Sequence, residues 1–206
     1  MIAIIDYDAG NLKSVEKALT ALKQECTITR NFREIEQADK VILPGVGSFG
    51  DAMSQLKKYE LDKVIQEVTA KNTPFLGICL GLQLLFEGSE ESDGVEGLNL
   101  LKGQIVRIPD CEGLKIPHIG WNSLTLQNQG RLFEGLPEEP YVYFVHSYYL
   151  KAKEEEIVKA TTEYSAHIHA SVEKGNLFAC QFHPEKSGTV GLKILSNFAG
   201  IQGGNC

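Results

Sequence analysis

Apolar residues change their period repeatedly along the first half of this chain. Met1-Ile2-Ala3-Ile4-Ile5-Asp6 begins with a short apolar run, read as a strand. After Tyr7-Asp8-Ala9-Gly10-Asn11, the residues Leu12, Val15, Leu19 and Leu22 recur at helical spacing, with Lys13, Glu16 and Lys23 on the other side. Short strands are expected over 26–29 and over 40–43, the second stopped by Pro44-Gly45. Helical patterns cover 49–56 and 62–71. Residues 74–78 form another apolar strand, followed by a helix over about 80–87. Strands separated by helices imply βαβ units, hence a parallel sheet with helices on both faces. The second half reads differently. Strand-like runs at 104–108, 123–126, 141–145, 157–162, 168–172 and 177–182 alternate with turn signals such as Glu173-Lys174-Gly175-Asn176. They predict an antiparallel extension of the parallel core. A last amphipathic helix carries Val190, Leu192, Leu195 and Phe198, starts after Ser187 as N-cap and ends at Gly200. No repeat or linker interrupts the pattern, so residues 1–206 read as one domain.

Composition narrows the class. The 206 residues are 43% hydrophobic and 23% charged, ordinary for a globular protein and unlike a disordered one. Twenty Lys and Arg against 27 Asp and Glu give a net charge of −7. The longest basic run is Lys57-Lys58, which argues against a nucleic-acid or anionic-membrane surface. The nearly apolar stretch 75–86 is too short to span a bilayer, and the N-terminus lacks the marks of a signal peptide. The cysteines (Cys26, Cys79, Cys111, Cys180 and Cys206) are odd in number and form no CxxC. That suggests a cytoplasmic protein with free thiols, one of which could be a working nucleophile.

Gly77-Ile78-Cys79-Leu80-Gly81 lies where a strand becomes a helix. It has the G-x-nucleophile-x-G form of a nucleophile elbow, with cysteine as the nucleophile. Side chains two residues to either side would clash in so tight a turn. The following helix offers free N–H groups and its dipole to Cys79, which favours the thiolate. The alternative is a buried, inert cysteine. His183-Pro184-Glu185, at the end of the 177–182 strand, supplies a base and an acid two residues on that can orient it. By itself this tripeptide is compatible with a structural histidine; with the elbow it completes a Cys-His-Glu triad. The oxyanion formed in such chemistry needs donors. Leu80 N–H follows the nucleophile, and Pro44-Gly45-Val46-Gly47-Ser48, at the end of a parallel strand, can supply a second at Val46. That loop lacks the Lys-Ser/Thr ending of a phosphate-binding P-loop. His118, His146 and the pair His167 and His169 lack the further ligands of a metal site, so no metal is expected.

With Leu82-Gln83 added to the elbow, and with His183-Pro184-Glu185, the chain resembles the class I (triad) glutamine amidotransferases. Asp8-Ala9-Gly10-Asn11-Leu12, Pro44 to Phe49, Pro117-His118-Ile119-Gly120-Trp121-Asn122, Tyr143 to Tyr149 and Gln181 to Ser187 are similar to one branch of that family. Its members are glutaminase subunits that pass ammonia to the separate cyclase subunit of imidazole glycerol phosphate synthase. The resemblance implies a flavodoxin-like α/β fold, with a mixed, mostly parallel central sheet, helices on both faces and an antiparallel extension. It implies hydrolysis of glutamine without a cofactor, in a heterodimer with the cyclase. It also implies that Gln83 contacts the bound glutamine, that Glu91 pairs with its α-ammonium, and that the Ser147-Tyr148 backbone meets its α-carboxylate. The face bearing Asn11 and Tyr143 would contact the partner and pass ammonia, and the loop with Gly45 and Gly47 would act as a switch. Gly81-Leu82-Gln83, where anthranilate-synthase relatives carry Gly-His-Gln, argues against anthranilate synthase as the partner. A scaffold that has lost catalysis, or one that turns the same thiol on peptides, would also fit the elbow.

Overall fold

The computed structural model describes residues 1–8 and 10–203; Ala9 of the Asp8 to Leu12 motif and Cys206 lie outside the described residues. In the first half, β1 (Ile2–Ile5), α1 (Leu12–Ala21), β2 (Cys26–Thr29), α2 (Phe32–Glu36), β3 (Lys40–Gly45), α3 (Phe49–Lys58), α4 (Leu61–Ala70), β4 (Phe75–Cys79) and α5 (Leu80–Leu84) alternate as the hydrophobic periods require. The second half holds β5 (Gly88–Ser89), β6 (Gly103–Arg107), β7 (His118–Ser123), β8 (Thr125–Leu126), β9 (Tyr141–His146), β10 (Tyr148–Ala152), β11 (Val158–Glu163), β12 (His167–Lys174), β13 (Leu177–Cys180) and α6 (Gly188–Gly200). One sheet runs β2-β1-β3-β4-β13-β12-β10-β6-β5, with β11 on β12 and β8 on β11, while β7 and β9 form a separate antiparallel ribbon. From β2 to β13 all pairings are parallel, and from β13 to β6 they are antiparallel. The expected mixed sheet with its antiparallel extension is therefore present.

β1 and β4 are buried along their whole length, as strands covered on both faces must be. Ala3 and Ile5 pack into one core with Phe49, Met53, Leu56, Val64 and Val68 of α3 and α4. Ile2 and Ile4 pack into the other, with Val15 and Leu19 of α1 and Ile194, Leu195 and Phe198 of α6. Among the described residues no helix is long and apolar enough to cross a membrane.

Several boundaries differ from the sequence reading. Pro44-Gly45 does not stop β3: Pro44 and Gly45 pair with Ile78 and Cys79 of β4. β1 pairs with β3 only as far as Ile42, so Pro44 has a ladder partner on one side alone and its missing N–H interrupts nothing. α5 ends after Leu84 instead of near Glu87. Leu98 N–H takes the Leu84 carbonyl, and the N–H groups of Leu100 and Leu101 take that of Leu85, which removes the acceptors a longer helix needs. Ser187 precedes α6 but does not cap it with its side chain; its hydroxyl instead donates to the His183 carbonyl at 2.6 Å and accepts from Tyr143 N–H at 3.0 Å. α2 and β10 carry no signal that the period reading detected, and β7 appears only as a motif.

The elbow rests on close approach. A Cβ on Gly81 would overlap the Leu43 carbonyl oxygen of β3, and one on Gly77 would stand 2.7 Å from the Gly81 carbonyl oxygen. Both obstacles are backbone, which cannot move aside. Gly81→Ala should therefore destabilise the protein by about 3 kcal/mol or more. Gly200→Ala, at the open end of α6, should change stability by less than about 1 kcal/mol. Urea midpoints of both variants check the contrast.

Candidate active site

β3, β4 and β13 are neighbours, and their carboxyl ends bring the chemistry of three distant segments together. Cys79 ends β4 with φ 56° and ψ −109°, the strained geometry of an elbow. The register of Gly45 opposite Cys79 places Val46 beside the thiol. His183 follows β13 and is fixed by its N–H on the Tyr143 carbonyl at 2.9 Å.

His183 Nδ1 lies 2.8 Å from Glu185 Oε1, and the two side chains are 3% and 0% exposed. Cys79 and His183 line the same crevice. Burial opposes a charge on His183, but the hydrogen bonds and negative charge of Cys79 and Glu185 outweigh it and raise its pKa to about 9. The remaining described thiols are free and differently placed. Burial pushes the pKa of Cys180 well up and that of Cys26 up, and Cys111 is exposed on a loop.

The crevice over Cys79 has a volume of about 310 Å³, at the small end of ligand pockets. The residues expected to face a ligand all line it: Val46, Leu80, Gln83, Glu91, Ser147 and Tyr148. Larger hollows of about 550 and 650 Å³ lie at the amino ends of the strands and beside Gln127 to Gly130, and neither contains a nucleophile with a base. Gln83 is 5% exposed; its Nε2 donates to the Tyr148 carbonyl and to Gln181 Oε1, each at 3.1 Å. Glu91 belongs to no helix. It lies past β5 and accepts from Phe49 N–H, the first residue of α3, at 2.8 Å.

A model of the family described as glutamine amidotransferase class-I matches residues 3–200. This chain belongs to the class I glutamine amidotransferase family. It is 52% identical over 197 residues to the imidazole glycerol phosphate synthase subunit HisH of Moorella thermoacetica, covering 96% of this chain and 93% of that one. Its identity to the protein of the same name from Methanocaldococcus jannaschii is 49% over 198 residues, covering 96% and 98%. Among solved structures, one described as a glutamine amidotransferase superposes with a TM-score of 0.75 at 18% identity, over 97% of this chain and all of the other. The structure of PurLQS from Thermotoga maritima gives 0.74 at 19%, over 96% of each. These two show the amidotransferase fold.

Within this amidotransferase fold, three features refine the sequence reading. First, α5 has only five residues, so it offers Cys79 the free N–H groups of one turn rather than a long dipole. Second, Gly45 has no room for a side chain: its Cβ position is blocked by the Tyr7 hydroxyl and, at 2.9 Å, by Leu80 Cβ. Gly47 is required for a different reason: it has φ 103°, a conformation that favours glycine, with open space around it. Third, Asn11, read as a partner contact, donates from Nδ2 to Glu185 Oε1 and so also holds the acid that holds the base. Tyr143 lies on β9, opposite Trp121 of β7.

Sequence reasoning gave no role to Gln181 or Tyr7. Gln181 is fully buried, and its Nε2 approaches Cys79 Sγ at 3.7 Å. Tyr7 is buried with no partner for its hydroxyl, and its pKa is raised by burial and by Cys79. A glutamine two residues before the base was the one available signal for Gln181. Tyr7 had none.

The His183 ring should be doubly protonated at about pH 8. Cys79→Ala removes a hydrogen bond and a negative charge that raise its pKa and leaves the burial that lowers it, so the ring should titrate at lower pH. Ring ¹⁵N NMR against pH measures this; an unchanged midpoint would separate Cys79 from His183.

Proposed function

We propose that this chain is the glutaminase subunit of an imidazole glycerol phosphate synthase, acting as one domain in the cytoplasm beside a separate cyclase subunit. Near-complete alignment at about half identity with subunits of that name supports the reading, and the Cys79–His183–Glu185 geometry carries the chemistry. Cys79 Sγ attacks the γ-amide carbon of glutamine, and the N–H groups of Leu80 and Val46 receive the oxyanion. His183 protonates the departing ammonia while Glu185, steadied by Asn11, fixes its tautomer. Water deprotonated by His183 then cleaves the γ-glutamyl thioester and releases glutamate. Gln83, Glu91 and the Ser147-Tyr148 edge bind the amino-acid end. No metal or organic cofactor enters any step.

The partner's docking face is the outer side of the β7–β9 ribbon. Ile119, Trp121 and Tyr141 are 59%, 55% and 56% exposed there, an apolar patch that a lone chain leaves in water. Tyr143 lies on the same side and its strand leads to His146 and Ser147 at the crevice. The cyclase, seated on this patch, would receive ammonia and make imidazole glycerol phosphate and aminoimidazole carboxamide ribotide. Its occupied state would turn the loop at Val46, with Gly47 as the pivot.

In the complex with cyclase, Cys79→Ala should abolish glutamate release and leave synthesis from ammonium salts intact. His183→Ala should be nearly as damaging, and Glu185→Gln milder. Gly47→Ala should blunt the stimulation of glutamate release by cyclase and its nucleotide substrate. Glutamate assays coupled to product formation test all four, and appreciable glutaminase activity in Cys79→Ala would refute the assignment.

A further inference from the structure

His118 and His146 take part in none of these steps, yet His146 lines the crevice that would receive glutamine and His118 stands behind it. They face each other across the β7–β9 ribbon, both buried, with His118 Nδ1 3.1 Å from His146 Nε2. His146 Nδ1 lies 2.9 Å from the Tyr148 carbonyl oxygen. A carbonyl only accepts, so His146 carries its hydrogen on Nδ1. Burial lowers the pKa of His146 to about 3 and that of His118 to about 4, so both rings are neutral near pH 7. In a neutral ring with Nδ1–H, Nε2 is an acceptor, and the hydrogen between the rings therefore belongs to His118 Nδ1. Only this one arrangement of protons satisfies the row.

The row continues into the site. The Tyr148 oxygen also accepts from Gln83 Nε2; Gln83 Nε2 meets Gln181 Oε1, and Gln181 Nε2 reaches Cys79 Sγ. At its far end His118 is clamped between Tyr164 and Phe144, with ring centroids 3.9 and 4.8 Å away. We propose that His118 and His146 are positioning residues: their fixed tautomers orient the Tyr148 carbonyl, and through it the Ser147-Tyr148 edge and Gln83 that hold glutamine. The proposal rests on the glutaminase reading for its substrate, but the proton arrangement stands on the geometry and the burial of the two rings.

Two substitutions separate hydrogen bonding from packing. His118→Phe keeps a ring between Tyr164 and Phe144 and removes the donor. His118→Asn puts an amide N–H where Nδ1 stands and gives up the stack. In the complex with cyclase, His118→Phe should raise KM for glutamine about tenfold with kcat within about threefold, since it strands a buried acceptor. His118→Asn should keep KM nearer the wild-type value despite a lower Tm. The reverse order, with His118→Phe neutral and His118→Asn worse, would mean that the pair serves packing and would overturn the proposal. Ring ¹⁵N NMR of the free chain gives a second decision without glutamine. His146 should be Nδ1-protonated in the wild type and in both variants, with the Nε2 shift of a hydrogen-bonded acceptor in the wild type and in His118→Asn and of an unpaired nitrogen in His118→Phe; an Nε2–H ring in the wild type would overturn the proposal. Failure of the wild-type complex to hydrolyse glutamine would refute the glutaminase reading instead, and the NMR result would still decide the proton arrangement.

Discussion

Cys79 holds a backbone conformation, φ 56° and ψ −109°, that costs a residue with a side chain about 1–3 kcal/mol. It persists because β3, β4 and α5 press against each other through glycines, with the Leu43 carbonyl where a Gly81 side chain would be. Everything functional hangs on that contact. It lifts the thiol out of the β4 ladder and aims it at the crevice. The same packing leaves the N–H groups of the first turn of α5 open, and the β3–β4 register brings Val46 alongside. The strain is supported by strands buried on both faces, the most rigid part of the molecule.

A second constraint is electrostatic. Glu185 has no exposed side-chain surface and one carboxylate oxygen without a partner, so its charge is compensated almost wholly through the other oxygen, by His183 and Asn11. Together with Cys79, such an arrangement favours a charged imidazole even at depth, which is why burial does not prevail at His183. His146 is buried with no carboxylate at hand, and there burial does prevail. Two histidines of one site are thus held in opposite protonation states by their neighbours alone.

The parts of the site that were legible in sequence are those whose chemistry is local. Gly77 to Gly81 states its turn and offers a candidate nucleophile within five residues, and His183-Pro184-Glu185 offers a candidate base with its orienter. The roles of Gln83, Glu91, Ser147 and Tyr148 came only from family resemblance. What stayed silent is what tertiary structure decides. Asn11 meets Glu185, and Gln181 meets Gln83, across long stretches of chain. α5 is cut short by the N–H groups of residues 98–101, which no helical period in 80–87 can reveal. Pro44 reads as a strand breaker until β1 is seen to stop pairing at Ile42. β10, Tyr148-Tyr149-Leu150-Lys151-Ala152, lacks a clean alternation because it crosses from crevice wall to sheet interior.

β13, whose end carries the base, is inserted between β4 and β12 although it comes after both in sequence. β4 must therefore wait for a strand made much later, a non-local pairing whose closure entropy slows folding. Until β13 docks, the thiol has no imidazole beside it. On the proposed mechanism, a chain emerging from the ribosome, or one that has folded only its first half, is consequently chemically silent. It cannot release ammonia before the surfaces that would receive it are in place.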